Sequence, residues 1–141
     1  MSSIFRTLVI VCGALMFVPY ATPFFYVNTD DSALWNLLQW DGYSATITPD
    51  SLIYVIWPIA LFGVLIGLYF FWRPARQAFV VFTIASIGLA AFEGVRVAHP
   101  LDVVVGSIMH PIYGALIAIS YFTSVATRFE PRKIPHAVET K

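Results

Sequence analysis

Glu93 and His110 are ionisable residues inside two otherwise apolar stretches of the sequence. Ionisable groups within a membrane span are costly and usually functional. Together with Tyr113 and Arg96, they predict a buried polar site that could bind a ligand or relay protons. The alternative is that Glu93 pairs with Arg96 at i,i+3 spacing, while His110 hydrogen-bonds a neighbouring helix as a packing contact.

Cofactor and enzyme chemistry have less support in the residues. The acidic and histidine spacing matches no zinc or di-iron pattern, so no metal site is expected. A b-type haem needs two histidines at similar depth, but His99 is predicted at the surface and His136 in the tail. Cys12 is a lone cysteine, and Ser107 is expected to bond its own helix. No cofactor is predicted, and an enzyme is the least favoured class.

The composition indicates a protein whose main solvent is lipid. Hydrophobic residues make up 59%, charged residues 11%, and the mean hydropathy is +0.78, whereas soluble domains carry about 25% charged residues. The predicted fold is all-α, with four transmembrane helices in an up-down bundle over residues 1–127 and a polar cytoplasmic tail over 128–141. The predicted spans are about 7–27, 52–72, 77–97 and 101–125.

The first apolar run could also be read as a signal peptide, because Arg6 precedes it. Pro19 and Pro23 crowd the position where a peptidase would need small residues. A retained first span is therefore the expectation.

The polar segment 28–51 is predicted to hold a short interfacial helix through Trp40. Trp35, Trp40 and Tyr43 suit a membrane surface, where an apolar ring meets a wet edge. They could instead form a docking surface for a partner.

Small residues predict where helices approach closely. Gly63 and Gly67 form such a pair on the second span, and Ser86, Ala90 and Gly94 a stripe on the third. The third and fourth spans are expected to be antiparallel neighbours at this stripe. The polar face of the fourth span, which includes His110, is expected to point inward.

The basic residues are distributed unevenly. In the predicted topology seven of the eight lysines and arginines lie on one side, with Arg96 alone on the other. The positive-inside rule then places both termini in the cytoplasm. A bacterial-type inner membrane is the expected location, and nothing favours nucleic-acid binding.

These features predict a small multi-pass membrane protein that acts as a non-enzymatic accessory or interaction subunit. Its partners would be the lipid bilayer and another membrane protein or a second copy of itself. The alternatives are a small-molecule or proton-coupled transporter that uses Glu93 and His110, and a membrane-embedded enzyme.

Overall fold

The computed structural model describes residues 1–26, 43–47, 51–94 and 100–130, and in this part of the chain the regular structure is helical, with no β-strand. The helices are α1 (Ser2–Tyr26), α2 (Ile53–Tyr69), α3 (Arg73–Ala90), α4 (Pro100–Phe122) and the 3-10 helix η1 (Ala126–Phe129). The predicted interfacial helix with Trp35 and Trp40, as well as Arg96 and most of the tail, lie outside the described residues.

The all-helical class is confirmed, and two of the helices are long and apolar enough to cross a membrane. These are the Ser2–Pro19 part of α1 and the whole of Pro100–Phe122. Helix α2 is apolar but has 17 residues. Helix α3 begins with two arginines in its first turn, which lowers its hydropathy.

A tight turn at Phe70–Trp72 separates α2 from α3. The Trp72 amide donates to the Gly67 carbonyl (2.8 Å) and the Phe71 amide to the Leu68 carbonyl (2.9 Å), which is the Schellman arrangement at a helix C-terminus. Phe71 occupies the left-handed position (φ 58°) that is usually glycine. Helix α2 therefore ends three residues before the predicted end of the second span at residue 72. Helix α3 starts four residues before the predicted 77, since Pro74 is tolerated in a first turn.

Helix α3 also ends earlier than the predicted residue 97. After Ala90 the backbone hydrogen bonds are of the 3-10 type. The amides of Ala91, Phe92 and Glu93 each donate to the carbonyl three residues earlier. Gly94 then adopts φ +69°. Glu93 and Gly94 therefore belong to a turn and not to the helix, which corrects their expected positions inside a span.

Each helix contacts two others, as α1 packs on α2 and α4, and α3 packs on the same two. Neighbours run antiparallel, shown by Trp57 meeting Ser86 between α2 and α3 and by Phe79 meeting Tyr113 between α3 and α4. The α3–α4 contact is the least extensive of the four. The expected close approach of these two helices is therefore not a main feature of the packing.

The fully buried side chains are concentrated toward one end of the molecule, where α1 and α3 begin and α2 and α4 end. They are Phe5, Phe79, Phe129, Leu68, Leu116, Val125 and Cys12. All lie within about three helical turns of those helix ends. We call this the basic end, because Arg6, Arg73, Arg76 and Arg128 are also there.

Candidate functional site

The residues of the predicted polar site lie in different settings. His110 and Tyr113 are neighbours on α4, with ring centroids 6.5 Å apart. Tyr113 turns toward α3 and meets Phe79 edge-on at 5.4 Å. The contacts of His110 within the described residues are to Gly106 and Tyr113, and Glu93 is not among them.

His110 lies on the exposed surface of α4. Its Nδ1 is 2.6 Å from the carbonyl oxygen of Gly106, one turn earlier. Because a carbonyl can only accept, this contact puts the proton on Nδ1. In the neutral ring, Nε2 then keeps a free lone pair as an acceptor.

The surface around His110 is open. A methyl group added at Gly106 or at Gly114 would meet nothing within 4 Å, and both glycines share a stripe with His110 at four-residue spacing. Pro111 is also exposed, and it removes the helical donor that would otherwise bond the Ser107 carbonyl. We call Gly106, His110 and Gly114 the α4 stripe. It faces outward, whereas Tyr113 of the same predicted face packs on α3. The expectation that this face points inward is therefore wrong for His110 and Gly114.

The predicted packing glycines of α2 have different surroundings. Gly67 is buried, and a β-carbon there would come within 2.6 Å of the Ala75 side chain. Gly63 is exposed, with nothing within 4 Å of the same added atom. The close approach thus occurs at Gly67, inside the α2–α3 hairpin.

The predicted small-residue stripe of α3 does not face α4. Trp57 of α2 donates its indole N–H to Ser86 Oγ (3.2 Å), and Ser86 in turn donates to the Phe82 carbonyl (2.8 Å). Ala90 is exposed. Ser86 therefore belongs to the interface with α2.

The segment around Tyr43 packs on the turn after α3. The amides of Thr46 and Ile47 both donate to the Phe92 carbonyl, at 3.0 and 3.1 Å. A β-carbon at Gly94 would lie 2.5 Å from the Tyr43 carbonyl oxygen, so only glycine fits. The Tyr43 side chain is exposed, as the docking and membrane-surface interpretations both require.

An aromatic cluster fills the basic end. Phe5 stacks on Phe71 with ring centroids 5.6 Å apart, and Phe129 meets both edge-on, at 5.9 and 5.4 Å. The cluster joins the start of α1, the α2–α3 turn and η1. Such pairs contribute about 0.5–1.5 kcal/mol beyond the burial of their area.

Three arginines lie over the rings of this end. Arg6 is 5.1 Å from the centroids of Tyr69 and Phe71, and Arg128 is 5.6 Å from Phe71. Arg76 lies 4.4 Å from the Tyr121 ring. These are cation–π distances.

The sequence indicated a basic side but not this arrangement of arginines on aromatic faces. A signal was present, because aromatic residues adjoin Arg6 and Arg128 and closely precede Arg73. Aromatics at helix ends are so frequent in membrane proteins that the pattern indicated only membrane anchoring.

Within the described residues, no group of three or more histidine, cysteine or acidic side chains could hold a metal ion. No family model, curated protein or solved structure matches the chain. Its function must therefore be inferred from the side chains and surfaces described above.

Proposed function

We propose that the chain is a four-span protein of a bacterial-type inner membrane with both termini in the cytoplasm. In this proposal it is a non-enzymatic interaction subunit, and the α4 stripe binds a transmembrane helix of a partner membrane protein. The observation that carries the proposal is the outward position of His110 in the middle of α4.

A membrane location is supported by the outer surfaces of the helices. On α3, Val81, Ile84 and Ile87 are 64–66% exposed. Such a row of large apolar side chains is unfavourable in water but matches lipid or an apolar partner. Helix α2, with 17 residues, reaches the lower limit of about 17 residues for a span.

The proposed orientation rests on charge. The four described arginines share the basic end, while Asp102 lies in the first turn of α4 at the opposite end. The positive-inside rule then places the basic end in the cytoplasm. A reporter fused after Lys141 should remain cytoplasmic, and its export would refute this orientation.

His110 would be costly if it faced lipid alone. It lies ten residues from Pro100, about 15 Å along the helix axis, which is near the middle of a hydrocarbon layer about 30 Å thick. Its Nε2 acceptor would be unsatisfied there. A partner helix with a hydroxyl, amide or indole donor would satisfy it.

The glycines make that approach sterically easy. Gly106 and Gly114 leave the helix backbone uncovered one turn on either side of His110, and small residues allow helix backbones to come close in membranes. The freed Ser107 carbonyl adds a second acceptor on this side of the helix.

Native mass spectrometry of gently extracted protein tests the proposal. We expect a second polypeptide in fixed stoichiometry, which is lost with Gly114→Leu and weakened with His110→Ala. Gly63→Leu is the matched control, because Gly63 is also open but lies on α2. Equal retention in all variants would refute the α4 stripe as the docking site. A pure homo-oligomer disrupted only by Gly114→Leu would identify the partner as a second copy.

A further inference from the structure

An open cleft of about 420 Å³ lies at the basic end, between the first residues of α3 and η1. Arg73 and Arg128 contribute to its walls, and Phe71, Trp72, Pro74 and Phe129 also line it. Glu130 is the acidic side chain among its lining residues. The cleft therefore combines two guanidinium groups with aromatic surface.

Among the lining residues, Glu130 offsets only one of the two positive charges. Arg73 and Arg128 are exposed. Arg128 instead lies over the ring of Phe71. A ring face holds the guanidinium in place but leaves its N–H donors available.

We propose that this cleft binds the phosphate of an anionic phospholipid headgroup. Guanidinium groups match phosphate oxygens with paired, charge-assisted hydrogen bonds. The cleft also includes the first turn of α3, whose positive end adds to the attraction. Basic pockets between helices at a cytoplasmic surface are suited to acidic headgroups.

The aromatic surface favours a lipid over a soluble anion. Trp72 is exposed beside the cleft, and tryptophan prefers the headgroup region of a bilayer. The exposed Pro74 beside it adds apolar surface that a glycerol backbone and the upper acyl chain can use. A free phosphate ion would gain only from the arginines.

The test measures retained lipid by native mass spectrometry on the full chain in detergent, after incubation with phosphatidylglycerol or phosphatidylcholine. We expect a preference for phosphatidylglycerol of roughly tenfold or more, since each arginine near a membrane surface adds a significant attraction for acidic lipid. Arg73→Gln combined with Arg128→Gln should reduce that preference to near one. Each single variant, Arg73→Gln or Arg128→Gln, should lower the preference in part. Arg6→Gln is their matched control, because it also removes one positive charge from the same end but Arg6 does not line the cleft.

A second variant separates binding from folding. Glu130→Gln removes the negative charge from the cleft and should increase retention of phosphatidylglycerol by a few fold. Equal retention in wild type and the double variant would overturn the proposal, as would a loss with Arg6→Gln equal to that of either single variant. If inorganic phosphate alone at millimolar concentration displaces the lipid completely, the ligand is a free phosphate and the lipid assignment fails. None of these results depends on the α4 stripe, so the two proposals can fail separately.

Discussion

Arg76 of α3 donates a hydrogen bond from Nη1 to the carbonyl oxygen of Ser120 in the last turn of α4, across 3.2 Å. Tyr121 and Phe129 lie 4.4 and 5.4 Å from its guanidinium carbon. A cation at a helix C-terminus is stabilised by the partial negative charge of the unpaired carbonyls. One side chain thus joins α3 to α4, the neighbouring pair of helices with the least extensive packing.

Arg76→Gln should lower the free energy of unfolding by about 1–2 kcal/mol, since it removes a charged donor and two ring contacts. Arg76→Lys keeps the charge but not the planar guanidinium, so its free energy of unfolding should lie between those of the wild type and Arg76→Gln. Denaturant unfolding in detergent measures the change. Arg73→Gln is the control, because Arg73 is exposed, and an equal loss there would contradict the role given to Arg76.

Phe71→Ala should be more destabilising than Phe71→Gly, although both remove the same ring contacts with Phe5 and Phe129. Alanine keeps a β-carbon in the left-handed conformation at φ 58°, which costs about 1–2 kcal/mol relative to glycine. Ile84 offers the opposite comparison inside α3, where glycine should be worse than alanine by about 1 kcal/mol. Thermal unfolding of the four variants measures this. Glycine should be the more stable replacement at Phe71 and alanine at Ile84, and the same preference at both sites would contradict the left-handed conformation of Phe71.

Gly94→Ala should destabilise the turn after α3. The added carbon would lie 2.5 Å from the Tyr43 carbonyl oxygen and 2.7 Å from the Ala45 amide nitrogen, and both are backbone atoms that cannot turn away. We expect a loss of about 1–3 kcal/mol. Gly88→Ala, in open space within α3, should instead stabilise by up to about 1 kcal/mol. A neutral Gly94→Ala in the same unfolding assay would argue against this contact.

Gly67→Ala should lower the free energy of unfolding, whereas Gly63→Ala should leave it unchanged or raise it. At Gly67 the new carbon would come within 2.6 Å of the Ala75 β-carbon and 3.3 Å of the Trp72 ring, so the hairpin has to shift, at a cost of about 1–3 kcal/mol. At Gly63 nothing is within 4 Å, and alanine should be neutral or stabilising. Unfolding midpoints of the two variants and the wild type, measured under the same conditions, test this difference. Equal losses at both positions would mean that Gly63 is also covered, for example by a partner.

The helices could be predicted from the sequence better than their ends. Long apolar runs indicate helices directly, but Phe71 ends α2 in a conformation that favours glycine, and no rule based on residue type anticipates it. Gly94 did carry a signal, since glycine is frequent just after a helix. Apolar residues on both sides of it, interrupted by Glu93 and Arg96, nevertheless extended the predicted span past this glycine.

Which face of each helix points into the bundle was harder to predict than the helices themselves. In a membrane the lipid-facing and core-facing side chains are both apolar, so polarity does not separate them. His110 was therefore expected inside, with the small and polar residues of its face, but it lies on the exposed surface. The arginine and aromatic contacts of the basic end could not be predicted because they join residues far apart in the chain, such as Phe5 and Phe129.

The concentration of buried side chains at the basic end implies an uneven resistance to opening. Amide hydrogens of α2 near Leu68 and of α4 near Leu116 should exchange with solvent only through large-scale unfolding, because both side chains are fully buried. In the described residues, the opposite end is joined by contacts such as the two amides donated to Phe92. Amide hydrogens at that end should therefore exchange with solvent first, while the basic end stays closed.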